Sequence, residues 1–395
     1  MITVDDALAR VLALIKPTGF EDVPLTRAAN RVLAAPVISA RDQPPFAASA
    51  MDGYAVRAED AANGARLKVV AEIPAGGGWD GALDPGEAAR IFTGAPAPQG
   101  ADAILIQENA DRVGDAITVR EQPAKGAYIR PAGLDFRIGA RIDAPRRLSA
   151  EDIALCAAMN SPFVTVRRRP RVHLIATGDE LVAPGQQPAA NQIVSSNNYG
   201  LAALAEAAGA EATIQPIARD NAAALREALD RAEGADLIVT LGGASVGDHD
   251  LVQQVFGEEG LDLSFYKVAM RPGKPMMAGR VRGAVMLGLP GNPVSSMVLG
   301  RLILRPALDA FLGLPAGPPA RQIARLGEPT GPNGPREHFM RARLEMTEDG
   351  PRVFPFPDQD SSILSVLAAA NALAIRPPHA PAASTGDEIE VIPLT

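Results

Sequence analysis

The 395-residue chain is 47% hydrophobic and 21% charged, a balance that lets each domain bury an ordinary core and excludes a wholly disordered protein. At about 100 to 200 residues per domain, this length predicts two to four domains. The 38 Lys and Arg residues are outnumbered by 46 Asp and Glu residues, which gives a formal net charge of −8 and disfavours nucleic acid as a partner. Cys156 is the only cysteine, which excludes an internal disulfide and any zinc or iron–sulfur centre built on several cysteines.

The sequence predicts neither a secretory signal nor a membrane helix. Its N-terminus has no basic segment followed by an apolar one. The uncharged stretch 283–300 is interrupted by Pro290 and Pro293 and cannot form one membrane-spanning helix. We therefore expect a soluble, cytoplasmic protein with no membrane partner.

The first 160 residues predict two helices separated by short strands. Thr3 can cap a helix whose apolar residues recur at helical spacing until Pro17. Residues 44–137 contain β-branched runs between Gly and Pro clusters, which indicates a β-rich domain. Ser149 can begin a second helix through Met159, in which Cys156 is expected to be buried.

The remainder predicts an α/β domain followed by strands. Apolar runs at 172–176, 236–241 and 284–289 alternate with helical patterns near 196–208, 221–233 and 294–311, as in a doubly wound, mostly parallel sheet. A Pro-rich linker at 315–319 precedes five strand candidates that predict a β-barrel or sandwich. These candidates are Gln322–Leu326, His338–Glu345, Arg352–Phe356, Ala372–Arg376 and Glu388–Ile392.

The loops that follow the three apolar strands are candidate binding elements, because ligands of open α/β sheets bind beyond the carboxyl ends of the strands. Glycines at 242, 243 and 247 would let backbone amides approach an anion, and Ser245 adds a hydroxyl. Glu180 and Asp250 offer oxygen ligands that suit Mg²⁺. Ordinary turns and helix caps are the alternative interpretation of each loop.

A second signal is a basic segment without acids. No Asp or Glu lies between Asp262 and Asp309, whereas seven Lys or Arg residues do, which predicts an anion site. The alternative is a solvated basic face balanced by acids from elsewhere. It is weaker for Arg271 and Lys274, which are separated by Pro272 and Gly273 in a tight bend.

Asp52 and Gly53 beside Tyr54 are, by spacing alone, typical of a hairpin turn.

Six motifs in order along nearly the whole chain resemble the molybdopterin molybdenumtransferases, a family that includes the corresponding domain of gephyrin. They are Ser49–Ala55 (SAMDGYA), Thr93–Pro96 (TGAP), Thr177–Leu181 (TGDEL), Gly242–Gly247 (GGASVG), Arg271–Pro275 (RPGKP) and Leu289–Ser295 (LPGNPVS). The resemblance implies insertion of molybdate into adenylated molybdopterin, with Mg²⁺-dependent release of AMP. It also implies a homodimer in which the β-rich domain of one subunit closes over the central and C-terminal domains of the other. Transient contacts with the adenylyltransferase and with the apo-proteins of molybdoenzymes are implied as well.

With the resemblance, the sequence predicts an α/β multidomain fold of four domains. An N-terminal helical, elongated domain would comprise residues 1–40 and 138–168, with a β-rich domain inserted at 41–137. A central doubly wound molybdopterin-binding domain would span 169–316, and a C-terminal β-barrel would span 317–395.

The resemblance also assigns functional residues by motif. Those implied in catalysis are Asp52, Thr93, Glu180, Asp250 and Lys267. Those implied in binding the pterin or molybdate are Gly242, Gly243, Ser245, Gly247, Arg271, Lys274, Pro290, Asn292, Arg341 and Ser361. Glu180, Asp220 and Asp250 are the implied Mg²⁺ ligands. Arg271 stands where many relatives carry Lys, which replaces a point donor by a planar fork, and the role of Asp248 is open.

Two other functions fit the sequence less well. A molybdopterin adenylyltransferase would resemble the central domain but would lack the β-rich and C-terminal segments. A non-catalytic molybdopterin-binding scaffold would not need the carboxylates that this chain retains.

Overall fold

The computed structural model describes residues 1–242 and 251–394. Its contacts divide the chain into two units, one comprising Met1–Glu21 with Val166–Thr395 and the other comprising Asp22–Thr165. The four predicted domain ranges remain a prediction. Within the described part of the chain, no helix is long and apolar enough to cross a membrane.

Helix α1 (Val4–Ala13) begins as the sequence predicts. The Thr3 hydroxyl accepts a hydrogen bond from the backbone N–H of Asp6 at 3.0 Å, which satisfies an amide that has no partner within the helix. Val4, Leu8 and Val11 are buried in the main core of the first unit, so the predicted apolar face is confirmed.

The Asp22–Thr165 unit is rich in short strands. These are β1 (Phe20–Pro24), β2 (Val32–Leu33), β3 (Val37–Ile38), β4 (Ala48–Ser49), β5 (Gly53–Val56), β6 (Arg66–Ile73), β7 (Glu87–Ile91), β8 (Ala103–Ile106), β9 (Ala110–Val113), β10 (Ala116–Val119), β11 (Ile129–Arg130), β12 (Arg141–Ile142), β13 (Arg146–Arg147) and β14 (Phe163–Arg167). A six-stranded sheet has the order β8-β5-β7-β6-β10-β9, and a four-stranded sheet has the order β1-β14-β2-β13. The predicted β-rich region is confirmed.

Both faces of β5 in the six-stranded sheet are buried, which explains why this strand has no alternation of apolar and polar residues. Tyr54 and Val56 belong to one core cluster, whereas Ala55 belongs to another, as the alternation of a strand requires. Gly53 is needed in β5 because a Cβ there would lie 2.1 Å from the carbonyl oxygen of Leu105. Helix α2 (Ala150–Ala158) follows, with the predicted capping box of Ser149 and Asp152 and a buried Cys156.

The first unit contains the doubly wound sheet that the sequence predicts. Its strands and helices up to residue 311 are β15 (Arg171–Ala176), β16 (Leu181–Val182), β17 (Ile193–Val194), α3 (Asn197–Ala207), β18 (Glu211–Ile214), α4 (Ala222–Arg231), β19 (Leu237–Leu241), α5 (Leu251–Glu258), β20 (Asp262–Tyr266), β21 (Met270–Arg271), β22 (Met277–Val281), β23 (Ala284–Leu289), α6 (Pro293–Leu299) and α7 (Arg305–Phe311). The sheet order is β18-β15-β19-β23-β22-β20. The first four strands are parallel, and β22 pairs antiparallel with both of its neighbours.

Alternating residues of the central strands face two separate cores. Leu237 and Val239 pack with α3 and α6, whereas Ile238 packs with α4 and α5 on the opposite face. The predicted helix at 294–311 is present as α6 and α7, joined by a π-helical segment at Gly300–Leu304. Pro306 lies just beyond that segment and has no N–H to donate, which interrupts the α-helical ladder.

The C-terminal part of the first unit forms a closed barrel. Its elements are β24 (Gln322–Leu326), β25 (Glu337–Thr347), β26 (Gly350–Pro355), α8 (Leu364–Ala369), β27 (Ala372–Arg376) and β28 (Glu388–Pro393). The order β25-β26-β24-β28-β27 closes because β27 also pairs with β25. Met340 and Ala342 face the barrel core, whereas Phe339 joins the core of the central sheet. The predicted C-terminal barrel is confirmed.

Candidate functional site

The three predicted binding loops meet at one edge of the central sheet. Strands β15, β19 and β23 are parallel neighbours, so their carboxyl ends lie side by side. The backbone N–H of Thr177 donates to Leu241 O at 2.9 Å, and that of Gly242 donates to Leu289 O at 3.2 Å. Loops that are far apart in the sequence thereby share one surface, as expected at the carboxyl end of an open α/β sheet.

A cavity of 690 Å³ opens at this edge. Among its lining residues are Glu180, Gly242, Pro290 and Asn292, four of the residues that the sequence selects. The structure therefore brings together one carboxylate, two strand-end loops and the Pro-Gly-Asn-Pro turn. Volume and mixed lining are suitable for a polar organic substrate.

Gly242 is required by the geometry of this edge. Its φ of +94° lies in the left-handed region, and a Cβ there would lie 2.7 Å from Thr177 O. Only glycine tolerates this conformation without strain. The close approach lets the backbone of Gly242 line the cavity.

Several cavity residues were not predicted from the sequence. Asn197, at the start of α3, donates from Nδ2 to Gly291 O at 2.6 Å and holds the turn after β23. Ser196 also lines the cavity, as do Thr177 and Pro275, which belong to the TGDEL and RPGKP motifs. The sequence does contain a signal for Asn197. The run Ser-Ser-Asn-Asn lies at the start of a predicted helix, and helix N-termini in α/β domains often face the ligand.

Acidic residues gather on one side of the site. Asp179 and Glu180 follow β15, and Asp220 follows β18, whose neighbouring loop is joined by the Gly178 N–H to Ala218 O bond of 3.1 Å. Desolvation of its carboxyl group and repulsion from Asp179 and Glu180 raise the pKa of Asp220. A cation would relieve this repulsion, so two of the predicted Mg²⁺ ligands fit a positive ion. Among the described residues, no group of three His, Cys, Asp or Glu side chains could by itself hold a metal.

Arg341 is the most unusual predicted residue because its side chain is completely buried. Its Nη2 donates to Asp360 O at 2.9 Å and to Asp358 O at 3.4 Å. Its Nε and Nη1 are buried without a hydrogen-bond partner. Burial lowers the pKa of Arg341, partly offset by Asp358 and Asp360, and repulsion from Arg271 lowers it further. Buried donors are normally paired, and an oxyanion bound at Nε and Nη1 would pair these two nitrogens.

The loop at 358–362, whose carbonyl groups accept hydrogen bonds from Arg341, also reaches the cavity. Ser361 Oγ accepts from Asn292 Nδ2 at 3.1 Å, and Ser361 O accepts from the Val294 N–H at 3.1 Å. The adjacent Ser362 lines the cavity. Arg341 and Ser361 are therefore tied to the Pro-Gly-Asn-Pro turn through one short loop.

The other predicted cations lie on the segment before β22. Arg271 is exposed and pairs in parallel register with His338 at the start of β25, which links the central domain to the barrel. Lys274 is half-buried, and its carbonyl accepts from the Val268 and Met276 amides. Lys267 has a φ of +75° and its ammonium lies 4.8 Å from the centre of the Tyr266 ring. Lys267 is not among the residues that line the cavity.

Asp52 and Thr93 form a contact within the Asp22–Thr165 unit. Asp52 Oδ1 accepts from both the backbone N–H and the hydroxyl of Thr93, each at 2.8 Å. These hydrogen bonds, with the nearby Arg90, lower the pKa of Asp52. Thr93, from a motif distant in the sequence, thus keeps the carboxylate of Asp52 ionised. Thr93 is exposed and Asp52 is partly exposed.

Four predicted residues, Gly243, Ser245, Gly247 and Asp250, lie outside the described residues, as does Asp248.

Three family models match successive parts of the chain. The MoeA N-terminal region (domain I and II) matches residues 2–160, a probable molybdopterin binding domain matches 173–310, and the MoeA C-terminal region (domain IV) matches 324–394. A molybdopterin molybdenumtransferase of Nostoc sp. is 38% identical over 387 residues, which cover 95% of this chain and 88% of the relative. The chain belongs to the molybdopterin molybdenumtransferase family.

Other relatives agree with this assignment. Molybdopterin molybdenumtransferase 2 of Mycobacterium tuberculosis is 38% identical over 386 residues, covering 94% of this chain and 95% of that protein. Two crystal structures of the molybdopterin biosynthesis MoeA protein from Pyrococcus horikoshii have TM-scores of 0.86 and 0.82 at 30% and 28% identity, and each match covers at least 99% of both chains. The predicted family and multidomain α/β fold are confirmed.

Proposed function

We propose that this protein is a transferase that inserts molybdenum, supplied as molybdate, into adenylated molybdopterin during molybdenum cofactor biosynthesis. The observation that carries the proposal is Arg341, a fully buried guanidinium of β25 with two unpaired nitrogen atoms, which donates to a loop that reaches the 690 Å³ cavity. Membership of the molybdopterin molybdenumtransferase family over nearly the whole chain supports the same reaction.

Molybdate is a small tetrahedral dianion with almost no apolar surface, so charge-assisted hydrogen bonds must bind it. Arg341 offers a planar fork of donors, and Ser361 offers a hydroxyl. Arg271 lies close enough to Arg341 to lower the pKa of its guanidinium. Lys274 follows Arg271 by three residues. Together these four residues supply positive charge and directional donors for one oxyanion. The sulfur ligands for molybdenum come from the pterin, so the protein needs no additional cysteine.

The cavity residues would orient the pterin substrate. Gly242 and the turn at Pro290 and Asn292 border the space that a polar ligand would occupy. Asn197 fixes this turn through its hydrogen bond to Gly291 O, and is therefore a positioning residue. Asp52, held ionised by its hydrogen bonds from Thr93, would supply a negatively charged group from the Asp22–Thr165 unit.

Mg²⁺ would be held by Glu180 and Asp220 together with Asp250, in keeping with the raised pKa of Asp220. When bound, Mg²⁺ would neutralise the negative charge that develops on the phosphate as AMP leaves. An Asp220→Asn protein should then need more Mg²⁺ for AMP release, because one hard oxygen ligand is lost. An unchanged Mg²⁺ requirement would remove Asp220 from the metal site.

The remaining partners also belong to this proposal. We expect a cytoplasmic homodimer that receives its substrate from the adenylyltransferase and passes the product to molybdoenzyme apo-proteins. Size measurements in solution and pull-down with the adenylyltransferase test these two statements separately.

One reconstitution tests the proposed reaction. The protein is incubated with adenylated molybdopterin, molybdate and Mg²⁺, and both AMP release and transfer of active cofactor to an apo-enzyme are followed. A transferase releases AMP together with active cofactor, and release should depend on molybdate. A scaffold would bind the pterin without releasing AMP, and an adenylyltransferase would instead consume ATP with unmodified molybdopterin. Either result would contradict the proposal.

A further inference from the structure

A row of three basic residues crosses the start of the C-terminal barrel. Arg271 of β21 pairs with His338 of β25, and His338 pairs with Arg376 of β27. Residues directly opposite each other in neighbouring strands project to the same side of a sheet. We call Arg271, His338 and Arg376 the barrel-mouth row.

The row lies on the barrel side of β25. Met340 and Ala374 form the next pair on that side and belong to the barrel core. Phe339 faces the core of the central sheet, and Arg341 shares its side by strand alternation. The barrel-mouth row and the side chain of Arg341 therefore project from opposite faces of one strand.

Two members of the row are buried with unsatisfied nitrogen atoms. His338 and Arg376 are each only 7% exposed, and His338 Nε2 and Arg376 Nε have no hydrogen-bond partner. Arg376 uses Nη2 for Gly331 O at 3.3 Å and for Pro381 O. The hydroxyl of Thr330, next to Gly331, is also buried without a partner. Native proteins rarely leave several such atoms in one place.

The surroundings of the row are strongly cationic. Burial and then Arg271, Arg341, Arg336 and Arg376 lower the pKa of His338 to about 4. All four charged groups that act on this imidazole are guanidinium groups, on β21, β25, β27 and the segment before β25. A buried positive charge normally has a counter-charge, and a bound anion would supply one here.

We propose that His338 and Arg376 of the barrel-mouth row bind a small inorganic oxyanion of the sulfate or phosphate class, at a site separate from Arg341. The guanidinium of Arg376 and the imidazole of His338 are the buried donors. The small exposed fraction of the two buried residues restricts the ligand to a free anion and excludes a nucleotide. The site does not depend on the transfer reaction.

The test uses the imidazole of His338 as a reporter. The chain has four histidines, so comparison with His338→Gln assigns the His338 ring signals in a proton–carbon NMR spectrum. Sodium sulfate is titrated into the full-length protein at constant ionic strength and neutral pH. We expect a saturable shift of the His338 signals, a similar result with inorganic phosphate, and no effect of adenosine monophosphate.

Variants separate this site from general electrostatics. Arg376→Met should weaken sulfate binding about tenfold or more, because the positive charge and a charge-assisted donor are lost. Arg376→Lys retains the charge and serves if the Met variant does not fold. Arg343→Met is the matched control, because Arg343 is exposed on β25, the strand of His338, and pairs with Glu345; it should leave the affinity unchanged.

Three outcomes would overturn the proposal. An unsaturable shift, equal in wild type and in the Arg376 variants, would mean that water alone satisfies these atoms. Binding of adenosine monophosphate as tight as that of phosphate would contradict the restriction to a free anion. Loss of the sulfate response in Arg341→Met would mean that there is one oxyanion site and not two. None of these results bears on whether molybdenum is transferred.

Discussion

Replacing His338 by glutamine should remove a large part of the acid sensitivity of the barrel-containing unit. His338 is 7% exposed, and burial together with four guanidinium groups lowers its pKa from 6.5 to about 4. The unfolded chain binds a proton at this residue near pH 6.5, whereas the folded chain resists it. The stabilising effect is therefore complete above pH 6.5 and is lost as the pH falls toward 4.

The size of the effect follows from the two pKa values. Between pH 7.5 and pH 5, the linkage relation gives a loss of about 2 kcal/mol in the free energy of unfolding from this residue alone. Glutamine is neutral throughout this range and of similar size, so the variant should lack that loss. Its absolute stability at pH 7.5 does not enter the comparison, because only the change with pH is predicted.

Urea unfolding at the two pH values measures this change, with far-UV circular dichroism as the probe and without sulfate or phosphate in the buffer. Trp79 is the only tryptophan and lies in the Asp22–Thr165 unit, so its fluorescence follows that unit separately and should not respond to the substitution. His379→Asn is the control, because His379 is exposed near the same barrel. Equal pH dependence of the circular dichroism transition in wild type and His338→Gln would refute the reasoning.

Three further predictions concern the reaction. Arg341→Ala should raise the molybdate concentration needed for insertion by one to two powers of ten, roughly the value of one charge-assisted hydrogen bond, and should leave pterin binding intact. Arg343→Ala should not change the molybdate requirement, and equal molybdate titrations for wild type and Arg341→Ala would remove Arg341 from the pocket. Mixing inactive Asp52→Asn and Asp250→Asn proteins should restore AMP release after verified subunit exchange, since the family resemblance implies that one site uses two subunits; no recovery would contradict this. Gly242→Ala should reduce pterin affinity measured by calorimetry, because its Cβ would lie 2.7 Å from Thr177 O; wild-type affinity would mean that the loop adjusts freely.

Local patterns predicted the elements that have local causes. The Thr3 cap and the Ser149 capping box begin α1 and α2 as expected, and the apolar run at Ala284–Leu289 is the strand β23 itself. Strands β20 and β22 were missed. Met277–Val281 contains no alternation because it is buried on both faces between two strands, and Gly279 is needed there because a Cβ would lie 2.3 Å from Asp262 O.

Contacts between distant segments could be predicted only where topology alone fixes them. The meeting of the Thr177, Gly242 and Pro290 loops follows from parallel neighbouring strands, and the structure confirms it. The register that places Arg271, His338 and Arg376 side by side depends on how the barrel closes. No spacing in the sequence contains that information, because a shift of one residue would turn His338 to the other face.

The acid-free segment illustrates how structure divides residues that the sequence treats alike. Arg282 pairs with Asp230 and Glu259, and Arg305 pairs with Asp309 four residues later, so for these two the alternative of a basic face balanced by acids from outside the segment is correct. Arg341, on the adjoining barrel, is buried and keeps two N–H groups unpaired. An exposed and neutralised guanidinium gains little from a dianion in water, whereas a buried and unpaired one gains most. The distinction between binding and structural arginines therefore lies in their partners and their burial, and not in the local density of positive charge.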